Sequence, residues 1–218
     1  MDDAAGPGAI VGLSTGAELR VTGGGSTAVV CVNGGQSAEV EGTWSASLEW
    51  LVRRLAPRLP QLVFAEVRYR VKSWRRLDEC IEDARAAVAA IGSQRTVLLG
   101  FSMGGAVAIS VAAEPSVERV LGLAPWIPDR LRLEPLRGKR LDVLHGSLDR
   151  WLPGIPGVSP ASSRHGFERA RALGVAGSYE LIPGALHGIA LRAHWGRPLP
   201  LPRAAVWERR VAAQLGTL

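Results

Sequence analysis

Residues 98–105 read LLGFSMGG. The apolar run that begins at Thr96 breaks at Gly100, and Ser102 then sits between Gly100 and Gly104. A short, continuous apolar run bounded by turn residues suits a strand buried on both faces. The residues that follow predict a helix from Met103 to Ala113, closed by Pro115. The stretch therefore reads as strand, tight turn and helix with a hydroxyl at the apex, the context in which Gly-x-Ser-x-Gly acquires chemical meaning. A serine on so sharp a turn takes a strained backbone conformation, and glycine is needed where a neighbouring side chain would strike the strand or helix. The turn aims the Ser102 oxygen outward and leaves the Met103 amide at a helix N-terminus, where negative charge is stabilised.

Working outward, strands and helices alternate. Residues 9–22 carry two apolar stretches around Ser14-Thr15-Gly16 and predict a hairpin. Further strands are expected at 28–32, 62–67, 96–100, 117–124, 140–146 and 178–182. Trp44, Leu48, Leu51, Val52 and Leu55 share a helical face up to Pro57, and Leu77 to Ile91 repeats the period with Gly92 as its cap. Helices are also expected at 161–173 and around Ala204, Trp207, Val211 and Leu215. This pattern predicts an α/β fold with a mostly parallel central sheet, helices on both faces and an N-terminal antiparallel hairpin. One domain over 1–218 is expected. The connection at 125–139 is too short for a large lid domain and 150–160 supplies at most a flap, so an open site is expected.

Composition narrows the function classes. The chain carries 26 Lys and Arg against 20 Asp and Glu, and all but Lys72 and Lys139 of the cations are arginine. These arginines are scattered among acidic residues with no basic cluster interleaved with aromatics, so no nucleic-acid partner is expected. No apolar stretch approaches the roughly 20 residues of a membrane span, and no membrane partner is expected. The N-terminus, MDDAAGPGAIVG, lacks the basic start and apolar core of a secretory signal, which makes the cytoplasm the expected location. Cys31 and Cys80 stand in no metal-binding spacing and read as core thiols, with a disulfide between them left open. No metal or cofactor is called for.

In a sheet of this kind ligands bind at the carboxyl ends of the strands. A serine there needs a base to take its proton, and the base needs an orienting carboxylate. Of four histidines, His187 in PGALHG follows the last strand directly, with His194 as the alternative; His145 and His165 read as structural. Asp149 in HGSLD follows the preceding strand, with Asp129 in WIPD as the alternative. The order Ser102, Asp149, His187 is nucleophile, acid, histidine.

These segments resemble the α/β-hydrolases, and among them the small dienelactone-hydrolase-like and carboxylesterase-like proteins. GFSMGG at 100–105 is similar to the family's nucleophile elbow, HGSLD at 145–149 to its acid loop and GALHG at 184–188 to its histidine loop. VNGG at 32–35 is similar to the oxyanion loop, with Asn33-Gly34 where many members have His-Gly. Dienelactone hydrolases proper use a cysteine where this chain has Ser102, so the resemblance implies an esterase. It also implies an oxyanion hole built from the Met103 amide and that of Gly35 or Gln36.

Five tryptophans, Trp44, Trp74, Trp126, Trp151 and Trp195, fall in or beside loops at the expected carboxyl edge and predict an aromatic substrate rim. Trp50 and Trp207 lie in helices and read as core. Arg68, Arg70 and Lys72 follow a strand and could receive an anionic substrate or form a solvated loop. The leading expectation is a serine carboxylic-ester hydrolase acting on a small or polymeric ester through an acyl-enzyme. A thioesterase or acyltransferase on the same triad is the alternative, and a non-catalytic hydrolase-like binding protein is the alternative of another class.

Overall fold

The computed structural model describes residues 8–149 and 157–217. Eight strands form one sheet: β1 (Ala9–Gly12), β2 (Glu18–Gly23), β3 (Thr27–Val32), β4 (Leu62–Arg68), β5 (Arg95–Phe101), β6 (Val117–Leu123), β7 (Arg140–Gly146) and β8 (Tyr179–Ile182). Their order is β1-β2-β4-β3-β5-β6-β7-β8. β1 and β2 pair antiparallel, β2 joins β4 antiparallel, and every pairing from β4 through β8 is parallel. The chain runs from β3 to β4 on one side and then crosses to β5 on the other. The loops after β3 and β5 therefore diverge from adjacent strands, and a crevice opens between them.

Five helices cover the sheet: α1 (Ala46–Leu55), α2 (Leu77–Ile91), α3 (Met103–Val111), α4 (Pro160–Ala172) and α5 (Ala204–Leu215). Alternation along each strand sends successive side chains to opposite faces. In β5, Val97 and Leu99 join Leu48, Leu51 and Trp207 of α1 and α5, whereas Leu98 joins Ala84, Val107 and Phe167 of α2, α3 and α4. Both faces are buried, which is why the central strands read as unbroken apolar runs. Cys31 and Cys80 belong to these opposite cores and are both free, so the disulfide left open by the sequence does not form. Burial pushes both thiols up, that of Cys80 to about 11.

One local expectation is corrected, one is sharpened and one element was unforeseen. Trp44 lies outside α1, because Ser45 caps that helix by accepting from the Leu48 amide at 3.3 Å. Pro57 continues the chain into a 3₁₀ turn at Ala56–Arg58, where its missing N–H costs nothing at the start of a turn. A second, two-stranded sheet, β9 (Ala190–Arg192) with β10 (Pro198–Pro200), was not foreseen. Its strands have three residues each and two of them are proline, leaving no period-2 pattern to read. Among the described residues the connection from β6 to β7 holds a 3₁₀ turn, Glu134–Leu136, and no lid helices.

Asp142 ties the far end of the sheet together. Fully buried on β7, it accepts from Arg119 Nε of β6 at 2.7 Å, from Arg140 Nε at 2.6 Å, and from Ser178 N and Oγ at 2.9 and 2.6 Å. Burial alone would raise this carboxyl. The bonds from Arg140 and Ser178, with the charges of Arg119 and Arg140, outweigh it and hold the carboxyl below its ordinary value. A depressed folded pKa adds stability above the unfolded value, near 3.9, and that stability drains as pH falls through the folded value. Asp142→Asn leaves Arg119 buried without its charge partner and is expected to cost about 3 kcal/mol at neutral pH. Urea midpoints should show this gap to the wild type narrowing below about pH 4.

Candidate active site

The crevice holds the glycine-fenced serine. Ser102 sits between β5 and α3 with φ 56° and ψ −120°, a left-handed conformation that a non-glycine residue adopts only when its surroundings enforce it. Here the Ser102 amide donates to Leu123 O at 3.0 Å, and Ser102 O accepts from Gly105 N at 2.9 Å and Trp126 N at 2.8 Å. The glycines make the close approach possible. A Cβ on Gly100 would collide with the Gly104 carbonyl, and one on Gly104 with the Val32 carbonyl of the neighbouring strand. Gly104→Ala is expected to lower stability by about 3 kcal/mol through this backbone clash, read as a drop in the denaturant midpoint.

His187 lies in the loop after β8 and Asp149 in the loop after β7. His187 Nε2 stands 3.0 Å from Ser102 Oγ and its Nδ1 2.6 Å from Asp149 Oδ2. Because the carboxylate can only accept, Nδ1 carries the proton and Nε2 presents its lone pair to the serine hydroxyl. Side-chain exposure is 0% for Asp149 and 12% for His187. The two loops are laced together: Ser147 N donates to Ile182 O at 3.0 Å, Leu148 N to Ala185 O at 2.9 Å and Gly184 N to Ser147 Oγ at 2.9 Å. Ser47, at the start of α1, fixes the far side of the histidine loop, its Oγ accepting from Ile189 N at 3.0 Å and Ala190 N at 3.2 Å. Nothing in the local sequence singles out Ser47, since the contact spans 142 positions.

Asp149 serves two histidines. His145, read from sequence as structural, is fully buried at the end of β7, and its Nε2 lies 2.9 Å from Asp149 Oδ2 and 3.0 Å from Val158 O. Both neighbours are acceptors, so Nε2 is protonated and donates; Nδ1 has no partner among the described residues. Val158 N adds a bond to Asp149 Oδ1 at 3.2 Å. Burial would raise the Asp149 carboxyl, but the bonds from His145 and His187 together with the charge they can carry outweigh it and hold it below its ordinary value. His145→Leu removes one of two donors from Oδ2 and is expected to lower kcat on the order of tenfold by loosening the carboxylate. His145→Gln, which keeps an N–H donor, should recover most of it.

The loop after β3 forms the opposite wall. Asn33 is buried and bridges this loop, donating from Nδ2 to Thr43 O at 2.8 Å and accepting the Gly34 amide on Oδ1 at 2.7 Å. Tyr69 Oη donates to Asn33 O at 3.0 Å. These bonds hold the loop in place at the start of the β3–α1 connection. They also commit the Gly34 amide to Asn33, and Gly35 and Gln36 follow it along the cleft wall. The Met103 amide opens α3 and has no acceptor within the helix. Gly35 packs closely on the Met103 thioether, which would have to shift to admit a Cβ there.

The cleft measures about 1130 Å³ and runs from Ser102, Phe101 and His187 past Trp44 to Arg68 and Lys72. Of the four expected rim tryptophans among the described residues, one lines the cleft. Trp44 lines the cleft, stacked under Arg20 and Arg68 at 4.6 and 5.8 Å. Trp74 and Trp126 pack instead against the core under α2, α3 and α4. Trp195 is 57% exposed in the β9–β10 turn, edge-on to His194. Trp151 lies outside the described residues. The alternatives for the triad are engaged elsewhere: His194 sits in that same turn against Trp195, and Asp129, 84% exposed, pairs with His165 and Arg169 at the surface. Arg70 turns away to Glu82 and Asp83. Among the described residues, no three His, Cys, Asp or Glu side chains gather as metal ligands, and no helix is long and apolar enough to cross a membrane.

Strand order, the elbow after β5 and the crevice at the β3/β5 crossover define the α/β-hydrolase fold, and this chain has it. Solved structures of that fold superpose over most of the chain. A thermophilic esterase from Thermogutta terrifontis bound to propionate is 16% identical, with 99% of this chain and 94% of that one covered at a TM-score of 0.66. An α/β serine hydrolase homologue from Coxiella burnetii is 15% identical over 99% of this chain and 100% of its own, TM-score 0.66. A serine hydrolase without a lid, from Xanthomonas campestris, is 16% identical over 84% and 87% of the two chains, TM-score 0.59. No family model matches the chain, and no curated protein matches it in sequence.

Proposed function

We propose that this protein is a serine hydrolase of carboxylic esters, built as a single α/β-hydrolase domain. The observation that carries the reading is the pair of contacts His187 Nε2 to Ser102 Oγ at 3.0 Å and His187 Nδ1 to Asp149 Oδ2 at 2.6 Å. Ser102 Oγ attacks the acyl carbonyl as its proton passes to His187 Nε2, and Asp149 stabilises the imidazolium that forms. The developing oxyanion receives the amide of Met103 and that of Gly35 or Gln36, each worth about 3 kcal/mol in the transition state. Collapse of the tetrahedral intermediate breaks the ester C–O bond; His187 returns the proton to the departing alcohol and leaves Ser102 acylated. Water, deprotonated by His187, then attacks the acyl-enzyme and frees the acid. The esterases and the serine hydrolase homologue among its structural neighbours support the same chemistry.

A fluorophosphonate probe followed by peptide mapping tests the nucleophile, and a p-nitrophenyl acyl series of increasing chain length tests the reaction. A covalent adduct on Ser102 and turnover of at least one ester are expected. Absence of both would favour a non-catalytic binding protein on this fold.

A further inference from the structure

We propose that the esters accepted by this cleft carry a carboxylate at the end remote from the scissile bond, and that Lys72 receives it. The proposal rests on the hydrolase reading above and names its substrate class. Three cations line the cleft that contains Ser102: Arg68, Lys72 and Arg192. Two are committed. Arg192 reaches across from β9 to Glu49 at 2.8 Å and gives two further donors to the Gly196 and Trp44 carbonyls. Arg68 pairs with Glu18 at 3.1 Å and more loosely with Glu41 at 3.8 Å. Lys72 is different: its Nζ meets the Thr43 hydroxyl at 3.3 Å, and no carboxylate among the described residues lies within ion-pair distance.

A half-buried ammonium without a counter-charge is costly. Burial and the charge of Arg192 both push the Lys72 ammonium below its ordinary pKa. An anionic group entering the cleft would relieve both effects. The donors on offer are one ammonium and the hydroxyl proton of Thr43, which accepts from Lys72 and so has its own O–H to give. That set matches the single charge of a carboxylate, whereas a phosphate dianion would bring a second charge for which Lys72 has no match. Glu41 also lines the cleft, but it is 84% exposed and its ion pair is the loose one with Arg68 at 3.8 Å. Ser102 and Lys72 line one cleft of about 1130 Å³, and graded substrate lengths measure the span between them.

Monoethyl esters of linear dicarboxylic acids, graded in length, are compared with the diethyl esters of the same acids. At one chain length the wild type is expected to prefer the monoester by about tenfold in kcat/KM, through KM, and to lose that preference in high salt. Lys72→Met should reduce the monoester to diester ratio by about tenfold or more, and Lys72→Arg should restore part of it. A wild type that favours the diester at every length, a ratio unmoved by Lys72→Met, or a stronger preference for a matched ester ending in phosphate would each overturn the proposal. Calorimetric titration of monoethyl adipate and its homologues into Ser102→Ala separates binding from turnover. Binding that disappears in Ser102→Ala/Lys72→Met supports the carboxylate site even if no ester is hydrolysed, and absence of binding overturns it. Failure of the hydrolase reading is registered separately, as no fluorophosphonate adduct and no turnover of any neutral ester.

Discussion

Ser102→Ala is expected to lower kcat for p-nitrophenyl esters by about a factor of 10⁶, to the level left by binding and the oxyanion donors. The change removes one oxygen and nothing that holds the turn. The bonds from Ser102 N to Leu123 O, and from Gly105 N and Trp126 N to Ser102 O, are backbone bonds that alanine retains. Alanine also accepts the same φ of 56° under the same constraint. The variant should therefore unfold within a few tenths of a kcal/mol of the wild type while losing activity. Steady-state kinetics beside a denaturation curve makes the check. Activity within tenfold of wild type would remove Ser102 from the reaction and with it the proposed mechanism.

Asp149→Asn is the second large effect, about 10⁴ in kcat, and unlike the first it should also cost stability. Asp149 takes three donors: the imidazole N–H groups of His187 and His145 on Oδ2, and Val158 N on Oδ1. An asparagine has one carboxamide oxygen. Placed at Oδ2, it turns its NH₂ against the Val158 N–H; placed at Oδ1, it turns it against both imidazoles. In the second arrangement His187 is driven to the other tautomer, with Nε2 protonated and unable to accept from Ser102. Either way a buried donor faces a donor, at a cost of about 1–3 kcal/mol. A kcat loss of only a few fold with unchanged stability would show that His187 is oriented by something else.

The elbow, the acid loop and the histidine loop could be named from the chain because each is a short signal at the end of a short apolar run. LLGFSMGG, HGSLD and GALHG need no distant residue to be read, and their order on the chain follows the order of the strands. Gly92 at φ 61° and the exact span of β7 were legible for the same reason. Where meaning depends on which loop meets which, the chain is silent. The tryptophan rim went astray because a loop position next to a strand does not say which way a side chain turns; Trp74 and Trp126 found apolar core closer than the cleft. His145 looked structural because its partner, Asp149, matters only once His187 arrives on the same oxygen.

The sequence by itself determined the alternation that makes a doubly covered parallel sheet, the strained turn that presents Ser102, and the residue types that could act with it. Those follow from local sterics and from periods of two and 3.6 residues, which involve near neighbours along the chain. Tertiary structure alone decided that two histidines share one buried carboxylate, that Ser47 and Asn33 hold the walls of the cleft, and that among the described residues Lys72 is left without a carboxylate while Arg68 and Arg192 are paired. Hydrogen bonds and ion pairs act over about 3 Å in space whatever the separation along the chain, so partners such as Ser47 and Ile189 become neighbours only when the sheet has formed.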